Sequence, residues 1–137
     1  MKPAMIRSLL ALILVLSVLA TACSSDTRTQ SIELVSPADA AQVIADDPAG
    51  LVVLDIRTLE EFNEARLADA IMVDFYADDF ADQLDTLDKD VPYVVYCRTG
   101  NRSSEAVKTM KDLGFAEVYE VDGGIVNWYD QGYPIEN

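Results

Sequence analysis

The feature that most constrains this chain is the passage Val94-Val95-Tyr96-Cys97-Arg98-Thr99-Gly100-Asn101-Arg102-Ser103-Ser104, where an apolar run turns polar at a cysteine and at once takes up helical spacing. Val94, Val95 and Tyr96 are β-branched or aromatic in succession, the pattern of a strand covered on both faces. From Ser103 the apolar residues Ala106, Val107, Met110 and Leu113 recur at helical intervals, with Ser103 or Ser104 able to cap the helix. Cys97 therefore falls at a helix N-terminus, where converging N-H groups and the positive end of the helix dipole favour an anion. Gly100 and Asn101 tolerate the positive φ that such a loop needs. Arg98 and Arg102 add positive charge. A thiol in this setting is expected to ionise below its usual value of about 8.5, which makes Cys97 a candidate nucleophile. A lone cysteine is more often a small buried hydrophobe, but two flanking arginines and a glycine turn suit an anion better.

The chain contains no histidine. A Cys-His pair and a His-containing metal site are thereby excluded, and activation of the thiol falls to backbone amides, the helix terminus and arginine. No metal and no cofactor are expected. The net charge is -14, and it becomes more negative still once Lys2 and Arg7 leave with an N-terminal signal. Nucleic acid is thus excluded as a partner. An anionic ligand must be drawn in by the local field of the loop against a repelling background.

Residues 1–22 carry the three regions of a secretory signal: Lys2 and Arg7, an apolar run from Leu9 to Leu19, and the small residues Ala20, Thr21 and Ala22. The apolar run is too short for a stable membrane span. Leu19-Ala20-Thr21-Ala22-Cys23 resembles the lipobox of bacterial lipoproteins, with Ala20 where leucine is usual. That resemblance implies lipidation of Cys23 and anchoring to a membrane on its extracytoplasmic side, periplasmic or cell-surface; ordinary cleavage and free secretion is the alternative. Cys23 and Cys97 are the only cysteines, so lipidation of one leaves the other without an intrachain partner. Residues 23–35 are expected to form the lipidated N-terminus and a flexible tether, and residues 36–137 one folded domain.

Within that domain Ser36-Pro37-Ala38-Asp39 opens a helix, closed by Pro48-Ala49-Gly50. Leu51 to Leu54 reads as a central parallel strand, Thr58-Leu59-Glu60-Glu61 as a capping box, and Ile71 to Val73 as a short strand. Asp78 to Leu87 reads as an acidic helix that buries Phe80, Leu84 and Leu87. Gly114 ends the helix after Cys97, Val118 to Val121 is another strand, and Gly123-Gly124 leads into a last helix with Ile125, Trp128 and Tyr129. Strands alternating with helices predict an α/β fold, a mainly parallel sheet with helices on both faces and the cysteine loop at a strand's carboxyl end.

Four segments in order then resemble a single-domain rhodanese: Asp55-Ile56-Arg57 with Glu60-Glu61-Phe62; Cys97-Arg98-Thr99-Gly100-Asn101-Arg102-Ser103; Gly123-Gly124-Ile125 with Trp128; and Gly132-Tyr133-Pro134. The resemblance covers about Ser36 to Glu136. It implies a sulfurtransferase in which Cys97 takes a sulfane sulfur from a small anionic donor such as thiosulfate, becomes a persulfide, and passes the sulfur to cyanide or a thiol. It also implies that Arg98, Thr99, Gly100, Asn101, Arg102 and Ser103 bind the substrate, with Arg98 and Arg102 offering charge to the donor. Asp55, Arg57 and Glu61 are expected to be scaffold ion pairs. Where the family often has Gly-His-Ile and then Gly-Ala, this chain has Ala65-Arg66-Leu67 and Asp69-Ala70. The missing histidine is not the nucleophile's base in that family. Cysteine phosphatases place an arginine six positions after the cysteine; Arg102 follows Cys97 by five, a smaller ring that suits one sulfur atom. A sulfur relay serving a protein acceptor is the alternative to small-molecule turnover.

Overall fold

The computed structural model describes residues 29–137. The signal segment and Cys23 lie outside the described residues. The elements run β1 (Ser31–Val35), α1 (Pro37–Asp46), β2 (Val52–Asp55), α2 (Leu59–Glu64), β3 (Ile71–Met72), α3 (Phe80–Asp85), β4 (Pro92–Tyr96), α4 (Asn101–Asp112), β5 (Glu117–Val121) and α5 (Gly124–Asp130). One five-stranded sheet has the order β1-β5-β4-β2-β3, and every pairing in it is parallel.

Parallel pairing explains the apolar runs. All five residues of β4 are buried, because helices cover both faces of this central strand. On one face Leu54, Tyr93, Val95 and Val118 pack with Ala106, Val107 and Met110 of α4 and Leu84 of α3. On the other, Val53, Val94, Tyr96 and Val121 pack with Ala40 of α1 and with Ile125 and Trp128 of α5. Each fully buried Val or Leu contributes about 1.5–3 kcal/mol, so these two layers supply most of what holds the sheet in register.

Residues 31–35, expected to belong to a flexible tether, are instead part of the folded domain. Ser31–Val35 is a strand, paired along its whole length with Glu117–Val121. Its outer position leaves Glu33 and Leu34 exposed, which removes the apolar signature of the inner strands. Two helix ends also differ from expectation. Helix α1 closes at Asp47, in a left-handed conformation (φ 42°), before Pro48 is reached. Helix α4 begins at Asn101 on Gly100, so Ser103 and Ser104 lie in its first turn and neither is its N-cap. The capping box at Thr58 forms as expected, with Thr58 and Glu61 exchanging side-chain and backbone hydrogen bonds.

The departures at Arg66 and Asp69 are accommodated locally. Asp69 adopts φ 58°, a conformation that aspartate tolerates better than most residues, at the place where the resemblance led to expect glycine. The Arg66 guanidinium lies 5.0 Å from the centre of the Phe62 ring. Its main chain makes two hydrogen bonds to Glu136, Arg66 N to Glu136 O at 2.8 Å and the reverse at 2.7 Å.

Candidate active site

Cys97 follows the last residue of β4 directly and is 1 % exposed. The chain then makes the turn Arg98-Thr99-Gly100, with Gly100 at φ 104°, and enters α4. A side chain at Gly100 would strain this backbone wherever it pointed. The turn aims amides back at the sulfur: Gly100 N-H donates to Cys97 Sγ at 3.1 Å and Ser103 N-H at 3.4 Å. Sulfur thus takes the place that a side-chain oxygen holds at an ordinary helix start.

Burial pushes the Cys97 thiol up, but the Ser103 hydroxyl and the amides of Ser103, Gly100 and Thr99 outweigh it, and the net shift is downward. The downward shift expected from sequence therefore has its source in hydrogen bonds to the charged form.

The loop is held from behind by α5. Ile125 N-H donates to Cys97 O at 2.9 Å and Val126 N-H to Arg98 O at 3.1 Å. Gly124 lies so close that a Cβ there would touch Cys97 O and come within 2.6 Å of the carbonyl carbon and oxygen of Arg98. This contact gives the Gly123-Gly124-Ile125 segment its role: α5 is a mount for the loop.

The residues singled out from sequence separate into two groups. Cys97, Gly100 and Ser103 meet at the sulfur, with the Thr99 amide adding to the stabilisation. Arg98, Thr99 and Asn101 are exposed on the outer side of the loop. Arg102 is differently placed from a free anion binder: Nη1 and Nη2 reach both oxygens of Glu61, at 2.8 and 2.7 Å, and the guanidinium lies over Tyr76. Arg102, with lesser help from Thr58, holds the Glu61 carboxyl down at about 2. The charges of Arg102 and of the Cys97 sulfur favour one another, without a hydrogen bond between them among the described residues. The anticipated ion network resolves into this pair and a second, buried one, in which Arg57 Nη2 lies 2.6 Å from Asp55 Oδ2 and also donates to Ala65 O at 2.6 Å. The second pair ties the end of β2 to the segment after α2 and does not reach the sulfur.

Glu120 was not singled out from sequence. It is 7 % exposed, on the α4 face of β5, and accepts a 2.7 Å hydrogen bond from the Ser103 hydroxyl. A carboxylate in step with inward-facing Val118 was the available signal.

A family model for the rhodanese-like domain matches residues 36–131. The chain belongs to the rhodanese-like family. Among its rhodanese relatives is the thiosulfate sulfurtransferase GlpE of Pseudomonas savastanoi pv. phaseolicola, 34 % identical over 92 residues that span 67 % of this chain and 83 % of the relative. A sulfurtransferase of Allochromatium vinosum is 30 % identical over 89 residues, 65 % of this chain and 81 % of the relative. A crystal structure of a rhodanese-related protein from Thermoplasma volcanium superimposes with a TM-score of 0.66 at 30 % identity, covering 76 % of this chain and 97 % of that one. The rhodanese assignment joins the sulfur-centred loop to relatives that carry sulfurtransferase names.

Proposed function

We propose that this domain moves a sulfane sulfur from a small anionic donor such as thiosulfate to cyanide or a thiol, through a persulfide on Cys97. The observation that carries this reading is the convergence of the Gly100 and Ser103 amides on Cys97 Sγ, at 3.1 and 3.4 Å. In the first step the Cys97 thiolate attacks the sulfane sulfur of thiosulfate. A new S-S bond forms, the old one breaks, and sulfite leaves with its electron pair. The terminal persulfide sulfur then passes to cyanide or a thiolate, and the Cys97 thiolate returns as leaving group. The same amides support the anion in both states.

Exposed Arg98 is the cation best placed to meet an anionic donor, since Arg102 is engaged by Glu61. Burial of Cys97 favours a donor small enough to present a single sulfur atom. The N-terminal pattern supports placing this activity at a membrane surface outside the cytoplasm through lipidated Cys23; a Cys23→Ala protein that stays in the membrane fraction would overturn that placement.

Intact-mass measurement of the purified protein tests the chemistry. Incubation with thiosulfate is expected to add one sulfur, about 32 Da, at Cys97, and cyanide to remove it. A reduced Cys97 that gains no sulfur from thiosulfate would overturn the small-donor reading and leave a relay fed by a protein donor.

A further inference from the structure

Glu120 is a buried carboxyl in an otherwise apolar layer, and packing gives it no purpose. It occupies the inward phase of β5 with Val118, and its main-chain neighbours across the sheet, Leu34 and Val95, bring no charge. Its ion-pair prospects are poor: Lys108 of α4 acts on it only at a distance and is opposed by Asp122 at the end of its own strand. Burying an ionised carboxyl without a cation costs several kcal/mol, which a leucine at this place would avoid.

The one side-chain hydrogen bond of Glu120 among the described residues explains its presence. The Cys97 thiol donates to Ser103 Oγ at 3.5 Å, and the Ser103 hydroxyl donates onward to Glu120 Oε1 at 2.7 Å. Ser103 has one hydroxyl proton and a second possible acceptor, Gly100 O at 3.1 Å; the shorter, charged acceptor is Glu120. The chain of donors therefore points from sulfur to carboxylate.

We propose that Glu120 is the proton acceptor for Cys97, working through Ser103, and that the two groups share one proton. When the thiol proton moves to Ser103 Oγ, the Ser103 proton moves to Glu120 Oε1. Thiolate now accepts from the Ser103 hydroxyl, which accepts from the neutral carboxyl. Two protons each move one place along the chain, one S-H and one O-H bond breaking as two O-H bonds form. No heavy atom changes partner and no net charge is created; the negative charge moves from an apolar layer to the amides of Gly100 and Ser103. The desolvation that raises the Glu120 carboxyl works in the same direction, since it makes the carboxyl a better base. In a chain without histidine this is a route for the thiol proton that does not require solvent at the buried sulfur. Glu120 is thus a positioning residue for the sulfur-transfer reading, acting on the nucleophile through Ser103.

The test reads the thiol itself. The rate of Cys97 alkylation by iodoacetamide, measured on the full chain by peptide mass, is followed from pH 4 to 10. A shared proton gives two steps: a first where the pair loses one proton and part of the population is thiolate, and a second where the last proton leaves. Glu120→Gln keeps the shape of the side chain and is expected to give a single step, at lower pH than the upper step of the wild type because the neighbouring negative charge is gone. A single step in both proteins, whether or not its midpoint moves, overturns the proposal. A second measurement needs no variant: the carboxyl carbon resonance of Glu120 should titrate in the same two steps, and in one after Cys97 is alkylated. A carboxyl resonance indifferent to alkylation also overturns the proposal. Neither measurement uses a sulfur donor, so failure of persulfide formation and failure of proton sharing are separate results.

Discussion

Helices α4 and α5 both begin on a glycine in the left-handed region, Gly100 and Gly123, and neither has a side-chain cap. Their free N-H groups go to different acceptors. Those of α5 are taken by main-chain oxygens, Cys97 O and Arg98 O, whereas those of α4 meet a side-chain sulfur whose charge can change. Helices α1 and α2 start conventionally, on Ser36 and Thr58. The contrast separates fixing from reacting. One residue, Cys97, is gripped by its carbonyl from α5 and by its sulfur from α4, so the proposed nucleophile is aimed by a helix that does not touch it.

The largest effect is expected from breaking the fixing half. Gly124→Ala places a methyl group against the main chain of Cys97 and Arg98 and should cost about 1–3 kcal/mol in urea denaturation. Displacement of the loop should also lower sulfur transfer on the order of 100-fold. Unchanged thiol reactivity in a destabilised Gly124→Ala protein would show that α5 only stabilises.

Cys97→Ser acts on the other half alone. A hydroxyl keeps an acceptor for the Gly100 amide, so stability should stay within about 1 kcal/mol while the sulfur adduct and the turnover vanish. Residual transfer of sulfur from thiosulfate in this variant would remove Cys97 from the mechanism.

A smaller effect should come from the pair that braces α4 against α2. Glu61 sits at about 2 when folded, below its ordinary value of 4.5, because Arg102 favours the charged form. The pair therefore contributes stability in full above about pH 4.5 and loses it as the pH falls towards 2. Partial exposure limits this to about 1 kcal/mol. Glu61→Gln should remove that part of the acid dependence in denaturation series at pH 6 and pH 3, and an identical pH dependence in both proteins would deny the pair a role.

The smallest change tests the conventional caps. Ser36→Ala loses the acceptor for Asp39 N-H and should cost about 1 kcal/mol or less, with no change in the rate of Cys97 alkylation. A shift in thiol reactivity there would blur the division between fixing and reacting ends.

The inner strands, the capping box and the cysteine loop were legible because each writes its own local pattern. Val94 to Tyr96 announce burial on both faces, Thr58 and Glu61 sit at cap spacing, and Cys97 is followed by the turn residue Gly100. What sequence did not disclose is set by partners remote along the chain. Ser31–Val35 is a strand because β5 lies beside it, while its own residues alternate weakly. Arg102 looked like a free cation, and only the fold brings Glu61 to it across 41 residues. Ser103 looked like a cap, and its chemistry depends on Glu120, 17 residues further on.

The uniform direction of the strands has a consequence for how this protein can be approached. Ser31, Pro92 and Glu117 share one end of the sheet, and Cys97 leaves from the other. A five-residue strand spans about 16 Å, so the first strand enters the domain roughly that far from the sulfur and on the opposite rim. Held by its amino end on a bead or a sensor chip, the domain would stand with its thiol facing the flowing liquid.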